Sequence, residues 1–253
     1  MNRQQIYKRL DAHYEAAVNK YNERAVLGVF LFGSQNYGTD TETSDVDTKC
    51  ILVPDLYTLA LHPYETKHLS VDGEVCECMT IQHMVANWKK QNINFVEILF
   101  TPYFKINPFY EDIWDDFCIR WREEVARYDI KKAILSMGNQ ALHTIKQDPS
   151  DFKKQMNTLR IRNSLVHLVQ NSVIGYWHII HFDSKTRAEL RLVREQGASS
   201  EQIEGAIADL KYMIDNADKY ATNLQTVNRY RVDAACESLV MQLISRNIGL
   251  GDY

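Results

Sequence analysis

The sequence has no apolar run near the roughly 20 residues that a membrane-spanning helix requires. Its opening residues, MNRQQIYKRLDAHYEAA, have no apolar secretion-signal core. A soluble, cytoplasmic protein with no membrane partner is therefore expected. Positive charge is not in excess: 29 Lys and Arg stand against 33 Asp and Glu, a formal net charge of −4. That excludes an all-over basic surface for duplex binding but leaves room for a local basic groove. Cysteine is sparse, odd in number and without C-x-x-C pairing, so Cys50, Cys76, Cys78, Cys118 and Cys236 read as reduced thiols rather than a zinc site or disulfide framework. Cys76 and Cys78 would share one strand face, where core packing is the expected role. Internal repeats and low-complexity tracts are missing too. What is present, 45% hydrophobic and 25% charged residues over 253 positions, suits a globular protein of one large domain or two modest ones.

Apolar residues Ile6, Leu10, Tyr14 and Val18 recur every four positions, which predicts an amphipathic helix ahead of the first strand. Residues 25–32 (AVLGVFLF) read as a short buried strand stopped by Gly33-Ser34, and residues 45–53 (DVDTKCILV) as a second, closed by Pro54-Asp55. A third strand is predicted over Glu74–Thr80, then a helix over 81–91 and the segment 94–100. Beyond Pro108 strand-like runs nearly vanish and helical periodicity with charged faces continues to Gly249. The expected fold class is thus α/β (α+β): a small mixed sheet with flanking helices in residues 1–118, then an all-helical lobe over 119–253. Loops are expected at 146–151 and at 196–200, before the helix opened by Ser200-Glu201.

The chemistry concentrates in Phe32-Gly33-Ser34 and, after a polar, turn-forming stretch, Asp45-Val46-Asp47. Side chains alternate along a strand, so Asp45 and Asp47 project from one face and their carboxylates come close together. Two such anions repel unless a cation lies between them. Mg2+ is the natural occupant, a hard octahedral ion that takes one or two carboxylates, water and substrate phosphate oxygens. Two ions about 4 Å apart can activate an attacking hydroxyl and stabilise a leaving pyrophosphate. Gly33 allows the backbone to approach a phosphate, and Ser34 adds N–H and O–H donors.

The pattern Gly33-Ser34-Gln35-Asn36-Tyr37-Gly38 followed by Ser44-Asp45-Val46-Asp47 resembles the signature of the DNA polymerase beta superfamily of nucleotidyltransferases. Its G-S-x-x-Y-G form resembles the RlaP branch, bacterial and phage nucleotidyltransferases associated with RNA repair. Asn92 with Glu97-Ile98-Leu99, and Leu190 to Gly197 followed by Ser200-Glu201-Gln202-Ile203, extend the likeness over most of the chain. The resemblance implies a nucleotidyltransferase catalytic domain in 1–118 that attaches a nucleotide from a nucleoside triphosphate to an acceptor hydroxyl. Gly33, Ser34 and Tyr37 would hold the nucleotide, and Asp45 and Asp47 the two Mg2+ ions (or Mn2+). A third carboxylate completes such metal sites; Glu77, mid-strand in Val75-Cys76-Glu77-Cys78-Met79, is the candidate, with Glu74 and Asp72 as alternatives. Glu97 fits either an internal ion pair or cap or a place near the nucleotide.

In the helical half Asn157, Arg160, Ser164, His167, Asn171 and His178 fall on one helix face, opposite Leu165, Val169, Val173 and Trp177. That face reads either as solvated or as looking into a cleft, where Arg160 with Lys153 or Lys154 meets the triphosphate or an acceptor backbone. The expected acceptor is an RNA, tRNA-like end. The alternatives are a protein hydroxyl, as in an AMPylating antitoxin-like enzyme, and a ribonuclease using Arg162 and His167, whose R-x-x-x-x-H spacing resembles the HEPN motif. His178 and His181 are read as packing residues.

Overall fold

The computed structural model describes residues 2–41, 44–170, 175–224 and 227–249. The chain opens with helix α1 (Arg3–Tyr21), started by a capping box in which Asn2 and Gln5 satisfy each other's backbone amides. It buries Ile6, Leu10, His13 and Ala17. The expected stripe every four residues drifts, because 3.6 residues per turn rotates Tyr14 and Val18 to the rim of the face.

Strand β1 (Val26–Leu31) leads through the single turn α2 (Ser34–Tyr37) and a loop to β2 (Thr48–Leu52). After α3 (Leu56–Leu61) come the hairpin β3 (Thr66–Val71) and β4 (Glu74–Thr80), helices α4 (Ile81–Lys89) and α5 (Ile93–Val96), and β5 (Phe104–Ile106). The sheet order is β3-β4-β2-β1-β5, with β2 and β4 parallel and the other neighbours antiparallel. It is the mixed sheet expected, with two strands more than the sequence reading. Every residue of β1 and β2 is buried, since both faces of the sheet are covered. One face packs Val29, Leu31, Cys50, Cys76 and Cys78 under α1, and the other packs Phe30, Ile51 and Met79 towards the helices. Cys76 and Cys78 are core, as expected; the neighbouring Cys76 and Cys78 thiols, and then burial, push the Cys50 thiol pKa well up.

The rest is helical: α6 (Glu111–Ala126), α7 (Ile130–Gln147), α8 (Phe152–Gln170), α9 (Trp177–Ile180), α10 (Ser184–Gln196), α11 (Ser200–Asp215), α12 (Ala217–Leu224) and α13 (Arg229–Asn247). The division expected at residue 118 falls inside α6, and one core cluster runs from Phe30 and Ile51 of the sheet through Trp114 to Leu165, Leu210 and Leu239. No helix of the described residues is long and apolar enough to cross a membrane.

Candidate active site

Two backbone features build the site. The chain leaves β1 through Gly33 at φ +81° and leaves α2 through Gly38 at φ +69°, conformations that L-residues with a Cβ rarely adopt. A Cβ on Gly33 would lie 3.3 Å from Oδ2 of Asp47, so glycine keeps backbone and carboxylate in close approach. It also offers no capping side chain to α2. The second feature is the bond from the Phe32 N–H to the Asp47 carbonyl, 3.1 Å, which prolongs the β1–β2 ladder and fixes Asp47 beside the turn.

Regular strand begins at Thr48 rather than at Asp45, yet the alternation holds. Val46 is buried and donates its N–H to Glu74 Oε1 at 3.1 Å, while Asp45 is exposed and Asp47 half-buried. Burial raises the Asp47 pKa above the usual carboxylate range; Lys153 opposes the rise, and the charges of Asp45 and Glu74 add to it. Such a carboxylate, with Asp45 near it, is under-compensated, and this donor set fits a hard divalent cation.

A cleft of about 180 Å³ opens over this corner. Gly33, Ser34, Tyr37 and Asp47 line one side, Lys153, Asn157 and Arg160 of α8 and Arg194 of α10 the other. The structure therefore brings together Gly33, Ser34, Tyr37, Asp47, Lys153 and Arg160 from distant parts of the sequence; Asp45 does not line the cleft, though its charge acts on Asp47. Arg160 is buried with its guanidinium carbon 3.9 Å from the Tyr37 ring centre, a cation–π contact that fixes its direction. Lys154 stands apart, its charge acting on Asp148.

Glu77 has the expected strand parity, since its register partner on β2 is Lys49, two residues on from Asp47. Its carboxylate, however, is ion-paired with the Lys49 ammonium, which is buried between the rings of Phe32 and Phe95 at 4.0 and 4.3 Å. Among the described residues no three His, Cys, Asp or Glu side chains gather as a metal site. Of the alternatives, Glu74 faces the other side of the sheet, against Arg9 and His13, and Asp72 sits exposed in the β3–β4 turn. Glu97 is fully buried behind α2, where Asn36 Nδ2 donates to its Oε2 at 3.1 Å; burial above all raises its pKa to about 7. It is thus an internal anchor of the turn.

The expected polar stripe divides. Asn157 and Arg160 reach the cleft, but Ser164 Oγ bonds the Ile179 carbonyl at 2.8 Å and His167 packs edge-on to Phe182. Asn171 and Val173 lie outside the described residues. α8 is described only to Gln170, and His178 and Trp177 belong to the separate α9, where Trp177 is 39% exposed rather than core. Arg162 is engaged by Asp209, with Nε donating to Oδ2 at 2.8 Å, so it and His167 have separate partners.

Sequence reading missed Arg194, which donates to the Thr39 carbonyl at 2.8 Å and to Ser44 Oγ at 3.0 Å, holding the loop that leads to Asp45. The available signal was the helical spacing of Arg187, Arg191 and Arg194. Lys49 was missed because a lysine inside an apolar strand announces no partner.

Residues 14–100 match the nucleotidyltransferase domain family. No curated protein matches the chain. Among solved structures it is similar to a nucleotidyltransferase-like protein from Exiguobacterium sibiricum 255-15, at 16% identity over 82% of this chain and 77% of that one, with a TM-score of 0.30.

Proposed function

We propose that this chain, a nucleotidyltransferase by its domain at residues 14–100, moves a nucleotide from a nucleoside triphosphate to the terminal hydroxyl of an RNA, with Asp45 and Asp47 holding Mg2+. The observation that carries the reading is the Gly33–Asp47 corner facing Lys153, Arg160 and Arg194 across one cleft, with Asp45 near enough for its charge to act on Asp47. In the reaction the acceptor oxygen attacks the α-phosphorus in line. The bond from that phosphorus to the bridging oxygen breaks, and pyrophosphate leaves with that oxygen. Bound Mg2+ would lower the pKa of the attacking hydroxyl and neutralise charge on the phosphates. Lys153, Arg160 and Arg194 neutralise and orient the triphosphate, and the amides after Gly33 meet its oxygens. Tyr37 keeps Arg160 aimed. Glu77 acts through Lys49, whose charge reaches Asp47 from behind. Catalysis is then positioning and charge neutralisation, with no side-chain nucleophile.

The RNA acceptor is supported by the sequence's resemblance to the RlaP branch. The test is incubation with each α-labelled triphosphate, Mg2+ and a mixed pool of RNA and protein. Label should enter RNA and be lost after Asp45→Asn or Asp47→Asn. Label on protein alone would reject RNA as the acceptor.

A further inference from the structure

On the far side of α2 from the triphosphate cleft lies a second, larger hollow of about 620 Å³, lined by Gln35, Asn36 and Gly38 of the turn, by Trp177 and His181, and by Arg187 and Arg191 of α10. Trp177 and His181 stack with ring centres 3.7 Å apart, and the indole remains 39% exposed. His181 Nε2 meets the Phe100 carbonyl at 3.2 Å, which fixes the stack, and burial lowers its pKa. Arg187 is exposed and makes no ion pair among the described residues; its Cδ would lie 2.9 Å from a Cβ at Gly38, so it presses on the turn. The acids at the rim are engaged: Asp40 with Arg191 at 3.4 Å, and Asp183 with the Thr186 amide at 2.7 Å. Arg187, Arg191 and Arg194 follow one face of α10 over about 10 Å at 1.5 Å per residue. The last of them lines the triphosphate cleft.

We propose that this hollow is the acceptor subsite, in which the penultimate base of a single-stranded RNA stacks on Trp177 while its phosphates follow the α10 arginines towards Asp45 and Asp47. The inference rests on the RNA-acceptor reading above. An aromatic platform beside a row of guanidinium groups is the chemistry that holds single strands without reading sequence. Within the row Arg187 has no ion-pair partner among the described residues and Arg191 shares its charge with Asp40, on a chain of net charge −4. It also joins the hollow to the cleft, as an acceptor whose end must reach the carboxylates requires.

The test uses the full chain and a short fluorescein-labelled oligoadenylate, followed by anisotropy, alongside steady-state transfer to the same RNA. Trp177→Leu should weaken binding and raise the RNA KM by at least about fivefold, the lower end for a lost base stack. Trp177→Phe should recover most of the loss. Arg187→Gln with Arg191→Gln should lower the salt slope by about 0.7 per arginine removed. The triphosphate KM should stay unchanged in all three variants. If the wild type binds and labels RNA while these variants match it in KM and salt slope, the subsite is wrong and the RNA reading stands. If the wild type neither binds nor labels RNA, both fall together.

Discussion

At the scale of single residues, the cleft combines groups whose charge is poorly matched until substrate arrives. Asp47 has a raised pKa in the fold, so the folded chain holds its proton more tightly than the unfolded chain does. It therefore adds stability below the carboxylate's unfolded pKa, and that stability is lost as pH rises through the folded value. Asp47→Asn should accordingly leave the metal-free protein as stable as the wild type or more so at neutral pH, while transfer falls at least about 100-fold; melting curves and initial rates check the two halves. Gly33→Ala should act through the backbone, costing about 1–3 kcal/mol for a Cβ at a glycine-only conformation. It should also lower the transfer rate, because the added methyl meets the Asp47 carboxylate. Glu77→Gln separates structure from metal binding. It leaves the buried Lys49 ammonium without its partner, so urea denaturation should show a loss of about 3 kcal/mol, the low end for a broken buried pair because Glu77 keeps 23% exposure. Mg2+ affinity should change far less than in Asp47→Asn. A large loss of metal affinity at unchanged stability would restore Glu77 as a ligand.

At the scale of elements, what was legible followed from periodicity and punctuation. β4 was read to its ends because an acidic turn, Asp72-Gly73, precedes an alternating run and Thr80 caps the next helix. β3 and β5 escaped, the first because TKHLSV is half exposed and mostly polar, the second because three residues carry too little pattern. The stripe does not extend as one helix to Trp177 and His178, because those two belong to the separate α9. The aspartate pair, Gly33 and the α8 cations could be read locally. Their assembly with Arg194 could not, since it depends on α10 lying along the loop after α2. One element has a pH signature. α2 is anchored through Asn36 on Glu97, whose pKa rises from 4.5 to about 7 on burial. The folded state holds the extra proton, so unfolding free energy should fall as pH rises between 4.5 and 7, at up to about 1.4 kcal/mol per pH unit. Glu97→Gln should flatten that slope in denaturation curves taken across the interval; an unchanged slope would mean that Glu97 is ionised throughout.

At the scale of the whole molecule, the sheet and the turn after it supply the carboxylates and Gly33, and the helical part supplies the cations on the other side of the cleft. α8 brings Lys153 and Arg160, and α10 brings Arg194, which grips the loop leading to Asp45. The continuous core across α6 keeps these two contributions in register. Neither half holds the cleft alone: the domain match at residues 14–100 covers the carboxylates and none of these cations. The decisive measurement is pyrophosphate release counted against nucleotide incorporated into RNA, with Mg2+ and with chelator, in the wild type and in the Asp45→Asn, Asp47→Asn double variant. One pyrophosphate per incorporated nucleotide, abolished both by chelation and in the double variant, is the expected result. Incorporation that persists in the double variant, or label that enters RNA without pyrophosphate, would contradict the assignment of Asp45 and Asp47 as the metal-holding pair of a nucleotidyltransferase.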